Sequence, residues 1–160
     1  MLTVAVAVAV AASCWMAPVE APVVDAFRPP ACTWCAGNRG LKYATPPGVA
    51  VRAVATGVVS YSGTVAGTGY VVVRHADAIR ATYGSVTVGR FSIGDRIVAG
   101  MVIADTTGIL HFGLRRGVDY LDPAPFIGQL IHRARLVPTD GAASRPIGPA
   151  RLRCVGSGPR

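Results

Sequence analysis

The chain has 160 residues, of which 51% are hydrophobic, so it can bury a core and is not an intrinsically disordered protein. Nineteen Gly and twelve Pro interrupt it every few residues, which excludes long amphipathic helices and predicts an all-β domain of short strands. The net charge of +8 suits an anionic neighbour such as nucleic acid, an acidic wall polymer or a membrane surface. A GC-rich coding bias would produce the same Arg-, Ala- and Val-rich composition.

The N-terminal segment 1–21 predicts export. Residues 2–12 form an uncharged apolar run that is too short to span a bilayer and has the length of a signal-peptide core. The sequence Val19-Glu20-Ala21 is an acceptable cleavage pattern, and a start codon further upstream would explain why no Lys or Arg precedes the run. The residues before Cys14 resemble a weak lipobox, which would make Cys14 a membrane anchor. The alternative is that the run is a β-strand. We expect an extracytoplasmic protein, secreted or anchored on the outer face of the cytoplasmic membrane.

Three cysteines would remain after such processing, namely Cys32, Cys35 and Cys154. Cysteines of exported proteins are usually paired. The Cys32-x-x-Cys35 spacing suits a metal half-site, a redox pair or one end of a bridge to Cys154. A zinc ribbon needs a second pair, and a thioredoxin-type motif needs a βαβ unit; the sequence has neither. We therefore expect a structural disulfide among these cysteines, with the pairing open.

The rest of the chain divides into three regions. Residues 22–36 are a Pro-rich arm, and residues 37–131 are predicted to form the β-sheet domain. Within it, apolar runs rich in Val, Ile, Tyr and Thr are bounded by Gly or Asp, as is typical of consecutive hairpins. The clearest runs are 49–55, 58–62, 70–75, 78–84, 90–105 and 109–117. Residues 132–160 carry six Arg against one Asp and are predicted to be a mostly disordered tail.

Several motifs follow one another in a fixed order along this domain. They are G-N-R-G-L-K, a Pro-Pro-Gly step, V-R-A-V-A-T-G-V-V, G-T-G-Y-V-V-V-R-H, Y-G-S-V, a Gly-Asp turn, I-L-H-F-G and a closing Asp-Pro. Their positions are 37–42, 46–48, 51–59, 67–75, 83–86, 91–103, 109–113 and 122–123. This order resembles the LytM/lysostaphin-type zinc endopeptidases, which cut peptidoglycan, over roughly residues 36 to 127. The resemblance implies an antiparallel sheet or sandwich of short strands joined by hairpins.

The resemblance also implies where a metal site would lie. The family takes its zinc ligands from the His and Asp of G-H-R-G-x-D and from the second His of H-x-H, and these positions are Asn38, Lys42 and His111 here. An amide is a poor zinc ligand, and an ammonium about 4 Å from Zn²⁺ would cost on the order of 4 to 8 kcal/mol at an effective dielectric of about 20. The family's catalytic His positions are Ser85 and Ile109. We therefore expect a non-catalytic member with no cofactor.

His75 matches a family His that is not a ligand, and His132 lies outside the predicted sheet beside the Arg-rich tail. The loop between Ile103 and Ile109 is expected to be shorter than in typical members, which would open or collapse one wall of the groove.

Three functions remain for comparison. The leading hypothesis is a degenerate domain that binds peptidoglycan or an envelope hydrolase. The alternative is an active zinc endopeptidase with a rearranged site that involves Cys32 and Cys35. Residues 93–105 also fit a biotinyl/lipoyl-type carrier, but the only lysine, Lys42, is not in a hairpin turn. We expect no nucleic-acid binding, because the chain offers few aromatic platforms.

Overall fold

The computed structural model describes residues 14–32, 34–131 and 151–153 of the chain. These residues form an all-β fold, which confirms the predicted fold class. The strands are β1 (Val23–Asp25), β2 (Leu41–Tyr43), β3 (Ala50–Arg52), β4 (Gly57–Val65), β5 (Thr68–Arg74), β6 (Ile79–Val86), β7 (Arg96–Ile97), β8 (Val102–Arg116), β9 (Asp119–Leu121), β10 (Gln129–Ile131) and β11 (Arg151–Arg153). Two short 3₁₀ turns, Ala76–Ala78 and Ala124–Phe126, are the helical elements of this part of the chain.

Strand β8 is the centre of a nine-stranded antiparallel sheet. The order is β1-β2-β8-β6-β5-β4-β7, and β3 and β9 also pair with β8. Strand β8 can serve four neighbours because it is 15 residues long. The chain approaches β8 closely at Gly40, just before β2, where a Cβ atom would collide with the carbonyl oxygen of Phe112. This close approach explains the glycine of the Arg39-Gly40 motif.

The core lies against one face of β5, β6 and β8, because successive side chains of a strand point to opposite faces. In β6, for example, Ala81 and Tyr83 are buried, whereas Arg80, which precedes them in the strand, is exposed. The Tyr83 ring packs on the Phe112 ring with centroids 5.3 Å apart, and its hydroxyl accepts a 3.0 Å hydrogen bond from the backbone N–H of Val54. The face that carries Arg80 is therefore left to form the floor of a groove.

The segment between Ile103 and Ile109 is not the shortened loop that we expected; it is part of β8. Polar contacts hold it in the sheet. The Thr106 hydroxyl donates to the carbonyl oxygen of Pro46 (2.6 Å) and accepts from the backbone N–H of Val49 (2.9 Å). These bonds satisfy a side chain that is almost completely buried and explain why the segment is extended.

The described part of the predicted signal segment packs on the domain and does not stand apart from it. Trp15 and Val19 are buried in the hydrophobic core. The backbone N–H of Trp15 donates to Phe126 (2.8 Å), and that of Gly128 donates to Trp15 (2.9 Å). Cleavage after Ala21 would remove both of these core residues. Residues 1–13 lie outside the described residues.

Two further boundaries differ from the prediction. The sheet begins in the Pro-rich arm, because β1 pairs with β2, and it does not begin at residue 37. Residues 151–153 of the predicted disordered tail form β11, which pairs with β10; the remainder of 132–160 lies outside the described residues. A three-residue strand has too little hydrophobic alternation to be recognised without its partner. No helix in the described ranges is long and apolar enough to cross a membrane.

Candidate functional site

Strands β2 and β8 place Lys42 and His111 directly opposite each other. On its other side, His111 pairs with Gly84 of β6. Residues opposite each other in an antiparallel pair share a face, with Cβ atoms about 4.5–5.5 Å apart. Burial lowers the pKa of His111, the Lys42 ammonium lowers it further, and the Asp25 carboxylate opposes this shift. Burial and the ammonium therefore both favour the neutral imidazole.

Asp25, at the end of β1, balances the charge of Lys42. Its register partner in β2 is Lys42, and the Lys42 Nζ lies 3.2 Å from Asp25 Oδ2. The Arg28 guanidinium donates to the other oxygen, Oδ1. The hydrogen bonds from Arg28 and then Lys42 hold the pKa of the Asp25 carboxyl below its ordinary value. Each carboxylate oxygen of Asp25 is therefore paired with a cationic side chain.

Asn38 has a structural role in this arrangement. Its side chain is buried, and its amide nitrogen donates to the backbone carbonyl oxygens of Ala26 (2.9 Å) and Asp25 (3.2 Å). Its backbone exchanges two hydrogen bonds of 2.9 Å with that of Arg28. Asn38 therefore fixes the Pro-rich arm, including the residue that pairs with Lys42, against the start of β2.

Ser85 of β6 and Ile109 of β8, at the expected catalytic positions, lie where the pairing of these two strands is irregular. The pairing of β6 with β8 shifts between Gly84, opposite His111, and Val86, opposite Thr106. Ser85 sits in this shift with a left-handed backbone φ of 60°, and Ile109 is 53% exposed. A hydroxyl and an alkyl side chain at these positions supply no imidazole for general acid–base chemistry.

The residues at this position do not fit a catalytic zinc. Such a zinc takes three protein ligands from His, Cys, Asp and Glu. Within the described ranges, no three side chains of these types are grouped so that they could hold a metal ion. His111 faces an ammonium, and the nearby Asp25 carboxylate is shared between Lys42 and Arg28.

A groove of about 530 Å³ runs from His111 over the exposed face of the sheet. Its walls are basic and aromatic and include no acidic residue. The lining residues are Arg39, Ser60, Tyr61, Tyr70, Val72, Arg80, Thr82, His111, Gly113, Leu114, Arg115 and Tyr120. The Arg39 guanidinium lies over the Tyr120 ring, 5.4 Å from its centroid. A cleft of this volume is large enough for a small organic ligand.

The described cysteines serve as structural links. Cys32 and Cys35 form a disulfide with each other, which leaves neither sulfur for a metal or for a bridge to Cys154, whose structure lies outside the described residues. Cys14 is also disulfide-bonded. A sulfur in a disulfide cannot carry a lipid thioether, so this bond gives no support to the expected membrane anchor through Cys14.

His75 does not line the groove. His75 is buried beneath Trp15, with ring centroids 5.0 Å apart. Its Nδ1 donates to the carbonyl oxygen of Thr56 over 3.0 Å, and its Nε2 has no hydrogen-bond partner in the described structure. His132 lies outside the described residues.

Sequence reasoning missed Asp25, Arg80 and Arg115. Asp25 stands in an arm that was expected to be irregular, and the two arginines look like ordinary solvated positions of alternating strands. Only the pairing of β6 with β8, which sets Arg80 opposite Arg115, brings them together. The alternation in each strand shows which face a residue is on, but not which residue lies beside it.

Residues 36–123 match the sequence model of Peptidase family M23. This match spans more than half of the 160-residue chain. The chain belongs to Peptidase family M23. The resemblance that the motifs indicated is therefore confirmed. No curated protein matches the chain.

Solved structures show the same fold. Csd3 of Helicobacter pylori is 21% identical with a TM-score of 0.64, and the match covers 74% of this chain and 36% of that one. A chain of the SpoIIQ–SpoIIIAH pore-forming complex is 19% identical with a TM-score of 0.63, covering 72% and 92%. The catalytic domain of lysostaphin from Staphylococcus simulans is 19% identical with a TM-score of 0.57, covering 66% and 91%. This chain thus spans about a third of the matched Csd3 chain.

Proposed function

We propose that this M23 domain is a non-catalytic member of the family that binds peptidoglycan or a cell-wall hydrolase partner in the cell envelope. The observation that carries the proposal is the placement of Lys42 opposite His111, with its ammonium 3.2 Å from Asp25. The ammonium supplies the positive charge that a metal would otherwise bring, and Asp25 balances it. The site is therefore electrostatically complete without zinc.

The groove beside His111 is the expected binding surface. It keeps a volume of about 530 Å³, so the loss of ligand residues has not filled it. A basic lining suits a polymer with acidic groups or an acidic protein surface. The similarity to a chain of the SpoIIQ–SpoIIIAH complex supports a protein partner as one form of the ligand. An extracytoplasmic location follows from either partner.

The alternative of an active zinc endopeptidase has weaker support. It would need new ligands, and the expected candidates Cys32 and Cys35 are joined to each other. The carrier hypothesis fails on position, because Lys42 lies within β2 rather than at the tip of a hairpin. Neither alternative explains why a lysine is opposite the one remaining ligand-type histidine.

The first test is zinc content and affinity of the full, oxidised chain, measured by elemental analysis and calorimetry with His111→Ala as the control. We expect no stoichiometric zinc in either protein. Tight binding of one zinc that is lost in His111→Ala would contradict the proposal, most clearly if the chain also released muropeptides in a metal-dependent manner.

The second test is binding. We expect the chain to sediment with purified peptidoglycan, or to retain an envelope hydrolase in a pull-down, without releasing muropeptides. A chain that does neither would refute the binding function even if it lacked zinc.

A further inference from the structure

Three arginines form a continuous row across the exposed face of the sheet. Arg74 of β5 is opposite Arg80 of β6, and Arg80 is opposite Arg115 of β8. The row ends at Tyr120 of β9, which is opposite Arg115. Directly opposed residues share a face and lie about 4.5–5.5 Å apart at Cβ. We call Arg74, Arg80 and Arg115 the guanidinium row.

The guanidinium row has no acidic partner within the described ranges. The ion pairs there involve other residues, namely Arg28 and Lys42 with Asp25, and Arg90 with Asp105. Like charges directly opposite each other destabilise a sheet. The row contains two such pairs, Arg74 with Arg80 and Arg80 with Arg115, beside the groove. An anion bound there would reduce the repulsion between the guanidinium groups.

The rest of the groove suits an organic ligand better than a bare inorganic anion. Arg80 and Arg115 line it together with the rings of Tyr61, Tyr70 and Tyr120. The rings offer flat apolar surfaces for carbon atoms, and their hydroxyl groups offer hydrogen bonds. A planar guanidinium pairs with a carboxylate through two parallel N–H···O bonds. A phosphate polymer would leave the rings uncovered.

We propose that Arg80 and Arg115 bind the free carboxylate of a short peptide, whose body lies on the tyrosines along the groove towards His111. Arg74 extends the positive field at the open end. This assignment rests on the proposed binding function of the same groove and specifies the ligand group that it recognises. It requires no metal and no covalent step.

The test uses N-acetyl-trialanine, its C-terminal amide and inorganic phosphate, titrated separately into the isotope-labelled full chain at low ionic strength. The Nε–H signals of the arginines are followed by NMR. We expect the free acid to shift the signals of Arg80 and Arg115 and to bind at least about ten-fold more tightly than the amide or phosphate, because only the acid combines a carboxylate with an apolar body.

The matched control is Arg116→Gln. Arg116 neighbours Arg115 in the chain, but its side chain is on the opposite face because strand side chains alternate, and the charge change is the same. We expect Arg80→Gln and Arg115→Gln each to weaken binding about ten-fold and Arg116→Gln to leave it unchanged. Equal binding of the amide or of phosphate, an equal loss in Arg116→Gln, or no binding of the acid at tens of millimolar would overturn the assignment.

These results separate the assignment from the proposed function. If the chain binds peptidoglycan or a hydrolase equally well with and without Arg115→Gln, and does not bind the tripeptide, the carboxylate site is wrong and the function stands. If the tripeptide binds as described but neither macromolecule does, the site stands and the function is wrong.

Discussion

Lys42 and His111 lie directly opposite each other on β2 and β8. A metal site would exclude a cationic lysine, whereas it could use a histidine as a ligand. The ammonium lowers the pKa of His111, whereas Asp25 acts in the opposite direction. The imidazole is therefore sensitive to the balance between Lys42 and Asp25, and this balance can be measured.

Replacing Lys42 should raise the pKa of His111. In Lys42→Gln the positive charge is lost, and Asp25 is left without its 3.2 Å partner, so both changes favour the imidazolium. The measurement is an NMR titration of the imidazole C–H signals. His75 serves as an internal control, because neither Lys42 nor Asp25 contributes to its shift. An unchanged His111 titration would show that the ammonium does not face the ring.

Trp15 should contribute to stability as a core residue. It is 7% exposed and packs on His75 and Phe126. Trp15→Ala is expected to lower the free energy of unfolding by about 3–5 kcal/mol, as for other large-to-small core changes. The matched control is Trp34→Ala, whose side chain is 93% exposed and which should change stability by less than about 0.5 kcal/mol. Urea unfolding under oxidising conditions would measure both, and equal effects would contradict the packing of residues 14–21 on the domain.

Thr106 should stabilise the extended path of β8. Thr106→Val preserves the shape but removes the donor to Pro46 and the acceptor for Val49. We expect a loss of about 1–3 kcal/mol, because buried backbone groups are left without partners. Thr64→Val, in an exposed part of β4, is the control and should be close to neutral. Similar unfolding midpoints for the two variants would refute the role of these hydrogen bonds.

Stability should fall as the pH is lowered through the histidine range. Burial lowers the pKa of both His75 and His111 in the folded protein, so the unfolded chain, in which His titrates near about 6.5, binds protons first. The free energy of unfolding is therefore fully retained above about pH 6.5 and decreases between that pH and the lowered folded pKa values.

The histidine variants test this origin. Since Asp25 titrates below its ordinary value of 3.8, its contribution falls outside this window. Urea unfolding at several pH values measures how steeply the free energy of unfolding falls as the pH is lowered. We expect this dependence to be weaker in His75→Gln and in His111→Gln than in the unmodified protein, and weakest in the double variant. A slope that is the same in all four proteins would assign the pH dependence to other groups.

The sequence by itself determined the strand content, the family and the identity of the residues at the expected site. Alternation around Ala81 and Tyr83 is a local property of one strand, and the motif order is read along the chain, so neither needs tertiary structure. The assignment of Asn38 and Lys42 to the expected ligand positions is likewise a prediction from the sequence, because a motif specifies residue type and spacing.

Only the tertiary structure decided which distant residues meet. The ion pair of Asp25 with Lys42, the guanidinium row and the burial of Trp15 all depend on pairing or packing between segments far apart in sequence. The physical reason is that alternation assigns a side chain to a face, whereas the register between strands, set by the packing of the whole sheet, assigns its neighbours. Short segments such as β1 and residues 14–21 have too few residues to show a period, so their place is decided by the partners that bury them.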